Sequence, residues 1–450
     1  MFLLTRPPPF ALRLPSHDLL AIAFAALMSV ASRGSRAATI VWGDSDNAFS
    51  PGASWVGGVA PANNTTSDIA SFGSAGSAPP VLDAARSVAG LAFTATSAVT
   101  LSGAFTLTLG ASGISNTSAS GTKTVSSNLS LAFAQSFTNS GVLTLSGAIA
   151  NGGNLLTLAG TGTGGALSGL LSGTGGLTKS GSGTWALSGL NTQTGTTTVS
   201  AGVLTVNSGA RLSSNTTAAP LIVNGGTLNL NNAAQTVSSL SGTGGTINFG
   251  TGHVLTLAQI GATSYTGALG GAGSLTFGGG GTATFSGGGT LTGTLTATAG
   301  STYKLGANDG LATTAKLNLT AANLALNNFT QSALGTLSLG SGASTIDFGS
   351  AASSISFADS HAATWSGTLT ITSYTYGSDT FKVGGSSSSL TSAQLASITF
   401  SGYALGGAAS ITSAGVVFPS AALPEPAICA ALAGSAALLF AVRRRRTARQ

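Results

Sequence analysis

Between positions 84 and 308 the chain has no aspartate and no glutamate. Half of a 450-residue sequence therefore offers no carboxylate side chain, neither a general acid/base pair nor a cage for a hard cation. Charged residues of both signs make up only 6% of the chain, against roughly 25% in an ordinary soluble domain. Long solvated helices are thereby disfavoured, because their outer faces need Glu, Lys and Arg. One cysteine, Cys429, excludes an intrachain disulfide. The three histidines, His17, His253 and His361, lie far apart without a cysteine partner, so no zinc signature exists. Asp44 and Asp46 begin like a calcium loop, but Ala48 stands at the next ligand position. The glycine run 278–281 lacks the Lys-Ser/Thr of a phosphate loop, and no G-x-S-x-G element sits at a strand-to-helix turn. No cofactor is expected.

What is abundant is glycine, 66 residues of it, with Ser, Thr, Ala, Leu and Val. Such a chain makes short strands and turns, hydroxyls on wet faces and aliphatics on dry ones. The net charge of +6 belongs to the ends. Segments 1–38 and 424–450 hold nine Lys/Arg and two acids, whereas 39–423 holds seven Lys/Arg and eight acids. A body of net charge −1 has no footprint for phosphate binding, so no nucleic-acid partner is expected.

Both ends read as addresses. Arg6 and Arg13 precede the apolar run 19–31, and small residues follow at Ser35 and Ala37. This is the order of a secretory signal peptide, with cleavage after Ala37 or Ala38, and it implies secretion machinery and a signal peptidase as partners. At the other end Pro424, Glu425 and Pro426 precede an apolar stretch 427–442, which stops at Arg443, Arg444, Arg445 and Arg446. As a helix the stretch is ~24 Å long, short of the ~30 Å hydrocarbon core, and the arginines hold its end in the cytoplasm. The tail resembles the PEP-CTERM sorting signal of Gram-negative bacteria, which has the same three parts in the same order. That resemblance implies an exosortase-type processing enzyme, cleavage near the Pro424 to Pro426 triplet, and delivery to the cell surface. A plain membrane anchor has the same membrane physics without needing the triplet.

Between the ends, segments such as FTLTLG, VLTLSG, LLTLAG, HVLTLA and SLTFGG alternate with period two and end in Gly, Asn or Ser. Coils of this kind cannot bury an apolar face alone, but stacked neighbours share one core. The stretch 175–212 carries Leu177, Lys179, Gly181, Leu187, Ser188, Gly189, Thr196, Val199, Gly202 and Leu204 in sequence. These landmarks resemble the autotransporter-associated β-strand repeat, with Gln193 where an aromatic is usual. The resemblance implies a right-handed parallel β-solenoid. Trp185 and Leu187 share one strand face, as do Leu204 and Val206. Lys179 reads as a solvated turn residue.

The expected fold is all-β: a right-handed parallel β-solenoid (β-helix) with capping segments, plus one short C-terminal transmembrane helix. Its expected parts are a signal peptide 1–38, an N-terminal cap 39–85 with Trp42, Trp55, Pro61, Asp68 and Phe72 in series, a repeat solenoid 86–350, a C-terminal cap 351–420, and a sorting tail 421–450. At roughly 20 to 25 residues per turn the solenoid makes on the order of 11 to 13 coils. The stretch 391–397 is the one expected helical turn. Thr290, Thr292, Thr294, Thr296 and Thr298 are expected on one strand face, as the single long Thr run, with no such array on successive coils. Nothing after the repeats resembles a membrane barrel of alternating strands, which speaks against a classical autotransporter. The expected function is an exported, non-enzymatic surface or extracellular-matrix structural or adhesive protein, with extracellular polysaccharide as a candidate partner. The alternatives are an ice- or glycan-binding solenoid using Thr faces, or a carbohydrate-active enzyme with its site in the caps.

Overall fold

A computed structural model of the protein describes residues 37–73, 78–214, 216–231, 234–403 and 407–420. The sorting residues Pro424, Glu425, Pro426 and Arg443 to Arg446, with the expected transmembrane stretch 427–442, lie outside the described residues. Among those described, no helix is long and apolar enough to cross a membrane.

The alternating segments become strands, most of three to five residues, in which every second side chain is buried. They wind into a right-handed parallel β-solenoid of about 14 turns with almost no helix. Each turn visits three faces. The first face runs from Ala38–Val41 through Gln135–Asn139 and Leu177–Lys179 to Ser239–Ser241, and continues from Ala262–Tyr265 to Ile398–Phe400. The second runs from Val99–Leu101 through Thr184–Leu187 to Ala268–Gly271, then on to Ser354–Phe357 and Thr380–Val383. The third carries Asn128–Leu131, Ile149–Ala150 and Leu171–Ser172, and later Gln235–Val237, Val254–Ala258, Ser274–Gly278, Thr294–Thr298, Lys316–Thr320 and Leu337–Leu339. Registered residues on successive turns lie 19 apart at Asn229 and Asn248, just under the expected 20 to 25, and 24 apart at Thr205 and Asn229, within it.

The register stacks like on like, which makes the core one continuous column. On the second face Trp185, Leu204, Leu228 and Ile247 pair in turn, beside Leu187, Val206, Leu230 and Phe249. On the third, Leu255, Leu275, Leu295, Leu317 and Leu337 do the same. All of these side chains are buried, each contributing roughly 1.5–3 kcal/mol if aliphatic. Where a ring is large, its neighbour shrinks. A Cβ on Gly165 would meet the Trp185 ring at 2.5 Å, so glycine on one turn leaves room for tryptophan on the next.

Both flanking segments continue the coil before closing it. Asp68–Phe72 pairs in parallel with Arg86–Phe93, and Thr368–Thr372 with Ile398–Phe400. At the first end Trp42, Phe49, Trp55, Phe72 and Phe93 form an aromatic plug, with Trp42 and Trp55 edge to face at 5.0 Å. Asp68 accepts from the Ala62 amide at 2.7 Å, and the Pro61 carbonyl accepts from Arg86 at 2.6 Å. At the other end Val416–Pro419 pairs antiparallel with Thr380–Val383, ending parallel growth of the sheet. The short helix Ser392–Ala396 forms where expected, with Thr391 and Gln394 as a reciprocal capping box.

Candidate functional surface

Lys179 is not a solvated turn residue. It ends the strand Leu177–Lys179 with its side chain inward and fully buried, and its Nζ donates to the carbonyls of Ser180, Gly181 and Ala201 at 2.8, 2.9 and 3.2 Å. The corner leading to the second face wraps the ammonium in backbone oxygens, which replace the missing acid as partners. Burial pulls its pKa down to about 8. Lys123 is also buried, at a corner between the same two faces, with its Nζ on Ser97, Ser120 and Gly121 carbonyls at 2.8 to 2.9 Å. Only the alternation of faces over 177–179 hinted at this, since it places Lys179 on the side of Leu177. Trp185 donates from Nε1 to the Ala159 carbonyl at 3.1 Å. Gln193, at the position where an aromatic is usual, is buried and donates to the Leu212 carbonyl at 2.6 Å.

The carboxylates serve the backbone. Asp309 accepts from the Ser332 amide and hydroxyl at 2.6 and 2.8 Å, and Asp379 from the Ser353 and Thr375 amides at 2.7 and 2.6 Å. Asp83 takes the Ser50 amide and hydroxyl, bonds that pull its pKa down against the upward push of burial. Asp46 accepts from Asn47, and Asp44 from Ala78 on another turn. Among the described residues no three His, Cys, Asp or Glu side chains gather into a metal-holding group. His253 and His361 are separated by five turns' worth of chain, the first buried and the second exposed. Ala38 opens the first strand, its amide on the Ser67 carbonyl at 2.7 Å, and Ala37 immediately precedes it.

Two surface features stand out from the polar exterior. The first is a depression of about 360 Å³ lined by Ser112, Ser115, Gln135, Ser136, Thr138 and Leu155, among others. It exists because residues 110–112 bulge opposite Ala89, between the pairs Val88 with Leu109 and Gly90 with Gly113. The second is a set of hydroxyl files. The strand Thr294–Thr298 carries only Thr294, Thr296 and Thr298 outward, while Thr290 and Thr292 lie before it, bonded to the Leu269 and Gly271 carbonyls. The expected five-residue Thr face is therefore split by a corner. The expectation of no array on successive coils is also overturned. Thr236, Thr256, Thr276, Thr296, Asn318 and Ser338 stand in register on six consecutive turns of the third face. On the second face Thr205, Asn229 and Asn248 stack likewise, and on the first Thr282, Thr302, Asn323, Thr345, Thr370 and Thr399.

Comparison with known proteins adds two findings. Residues 177–206, which hold the Lys179 cage and Trp185, match the Passenger-associated-transport-repeat family. The chain is similar to the adhesin BmaC autotransporter of Brucella suis biovar 1 (strain 1330), 38% identical over 100 residues, which is 22% of this chain and 3% of that protein. The chain thus spans a small fraction of that relative's length. No solved structure matches.

Proposed function

We propose that the protein is an exported, non-enzymatic adhesive or structural component of the cell surface or extracellular matrix. The observation that carries this reading is the passenger-type repeat itself, built into a solenoid whose buried lysines and scattered carboxylates are taken up by backbone groups. Similarity to an adhesin supports the adhesive side of the reading. In this reading the leader ending at Ala37 or Ala38 is removed on export, and the tail 421–450 is recognised at Pro424, Glu425 and Pro426 by an exosortase-type enzyme of a Gram-negative bacterium.

Measurements on intact cells and on the tail test it. Protease and antibody accessibility on intact cells should place the solenoid outside, and loss of the protein should weaken attachment or matrix cohesion. Replacing Pro424, Glu425 and Pro426 together by alanine leaves 427–442 and the four arginines in place, so insertion hardly changes. Mass spectrometry should find a native C-terminus near the triplet, and the variant should retain Gln450 in the inner membrane. A native protein still ending at Gln450, with the variant equally placed, reduces the tail to a membrane anchor.

A further inference from the structure

The file Thr236, Thr256, Thr276, Thr296, Asn318, Ser338 differs from the other long files in what its polar groups touch, and from the two other unbonded rows in its length: Thr100, Thr124, Thr144 stops at Ala166, and Ser136, Thr157, Thr178, Thr198 stops at Ile222. On the second face Asn248 donates to Asn229 at 3.0 Å and Asn229 to Thr205 at 3.4 Å. On the first face Asn323 donates to Thr302 at 3.4 Å, and Thr370 meets Thr399 at 3.5 Å. Those files are partly satisfied along their own axis. On the third face, among the described residues, the Thr236, Thr256, Thr276 and Thr296 side chains make no hydrogen bond to protein, and each is half-exposed. They form a row of free donor-acceptor groups, one per turn, about 14 Å long at ~4.8 Å per turn, which Asn318 and Ser338, the latter bonded to the Leu317 carbonyl, extend to about 24 Å.

We infer that this row binds a neutral, extended polysaccharide chain lying along the solenoid axis. Three observations choose that occupant. The file carries no charged residue, and its flanks contribute one, Lys316, so an anionic polymer finds a single cation along the whole row. The file is single. Its flanking positions read Val254, Ser274, Thr294, Lys316 on one side and Ala258, Gly278, Thr298, Thr320 on the other, so the hydroxyl pattern is continuous in one dimension and interrupted in the second. A linear polymer needs continuity only along its length, whereas an ice lattice needs it across the plane. Finally, an extended hexose chain advances by nearly one turn spacing per sugar, so each hydroxyl of the file faces one sugar of the chain. Sugar hydroxyls then replace the waters on these threonines bond for bond, and many weak contacts sum along one chain. This inference rests on the adhesive reading and names its ligand class.

The test is affinity electrophoresis of the intact protein through gels containing hydroxyethylcellulose, mixed-linkage β-glucan or amylose, with alginate as the anionic probe. Retardation by at least one neutral polymer, exceeding that by alginate, is expected. The variant T256V/T276V/T296V keeps shape and strand propensity while removing three hydroxyls, and should bind at least tenfold more weakly. T276R, a single surface change, should weaken binding comparably by blocking the middle of the row. T100V/T124V/T144V, the same change on the second face, should stay within twofold of the native protein. No retardation by any neutral polymer, unchanged binding of both third-face variants, equal loss in the second-face control, or preference for alginate overturns the inference. Thermal hysteresis abolished by the triple variant, without glycan retardation, overturns it in favour of ice. Surface exposure and attachment are read on cells, so the adhesive reading survives or fails independently of these gels.

Discussion

Lys179 and Gly202 form one device at the scale of residues. Gly202 sits at φ +65°, and a Cβ there would lie 2.7 Å from the Lys179 ammonium and closer still to the Gly181 and Gly183 carbonyls. The corner closes over the lysine only because this position has no side chain. Gly202→Ala should lower stability by more than about 1 kcal/mol, through both the left-handed backbone and the crowding, as read by urea denaturation. The titration of buried groups gives a second expectation. Lys179 falls from 10.5 to about 8 by burial, and Lys123 falls too. Between pH 8 and 10.5 the unfolded chain holds a proton that the native chain has released, so stability rises across that window. His253, buried and lowered from 6.5 to about 4, makes stability fall as pH drops through 6.5 toward 4. Tyr265 and Tyr303, raised by burial, reverse the alkaline gain above pH 10, where only the unfolded chain ionises them. The urea midpoint should therefore climb from pH 4 to 6.5 and again from 8 to 10. Lys179→Met should flatten the second climb, and an unaltered climb in that variant would show that Lys179 does not cause it.

At the scale of elements, short strands are fixed by neighbours above and below, and the helix by its own cap. Ser392–Ala396 is too short to stand alone. The Thr391 hydroxyl accepts from the Gln394 amide at 3.1 Å, the Gln394 side chain accepts from the Thr391 amide at 2.7 Å, and its Nε2 reaches the Ser360 and Ala363 carbonyls at 3.0 Å. Thr391→Ala should cost about 1 kcal/mol locally, and hydrogen exchange should show the helix amides opening faster. The helix was legible, because a short helix-forming run is a local signal; its Thr391 to Gln394 cap shows only in the structure. The Thr run was misread for the opposite reason. Periodicity places Thr290 to Thr298 on one side of an uninterrupted strand, but the chain turns a corner between Thr292 and Thr294, and nothing in their alternation marks it.

For the whole molecule, what matters is that each turn touches only its neighbours. Trp185→Ala should open a cavity and cost roughly 3–5 kcal/mol. In a quasi-one-dimensional stack that loss stays near its origin. Hydrogen exchange should therefore quicken over the turns around 164–206 while the C-terminal closure around Tyr374 and Phe400, 4.9 Å apart, keeps its protection. Uniform loss of protection along the chain would instead mean that the solenoid unfolds as one unit.

The sequence by itself determined the class of fold, its approximate period and its apolar inward residues, because strand alternation and glycine-bounded turns are local properties that survive stacking. It located the repeat at 175–212 through landmarks such as Leu177, Gly181 and Leu187, and residues 177–206 of that stretch match the repeat family. Tertiary structure alone decided that Lys179 is buried, since the carbonyls of Gly181 and Ala201 converge on it only after the corner has turned and the next coil has closed. It alone decided that six polar residues separated by about twenty positions each form one file, because register between coils depends on the length of every turn between them.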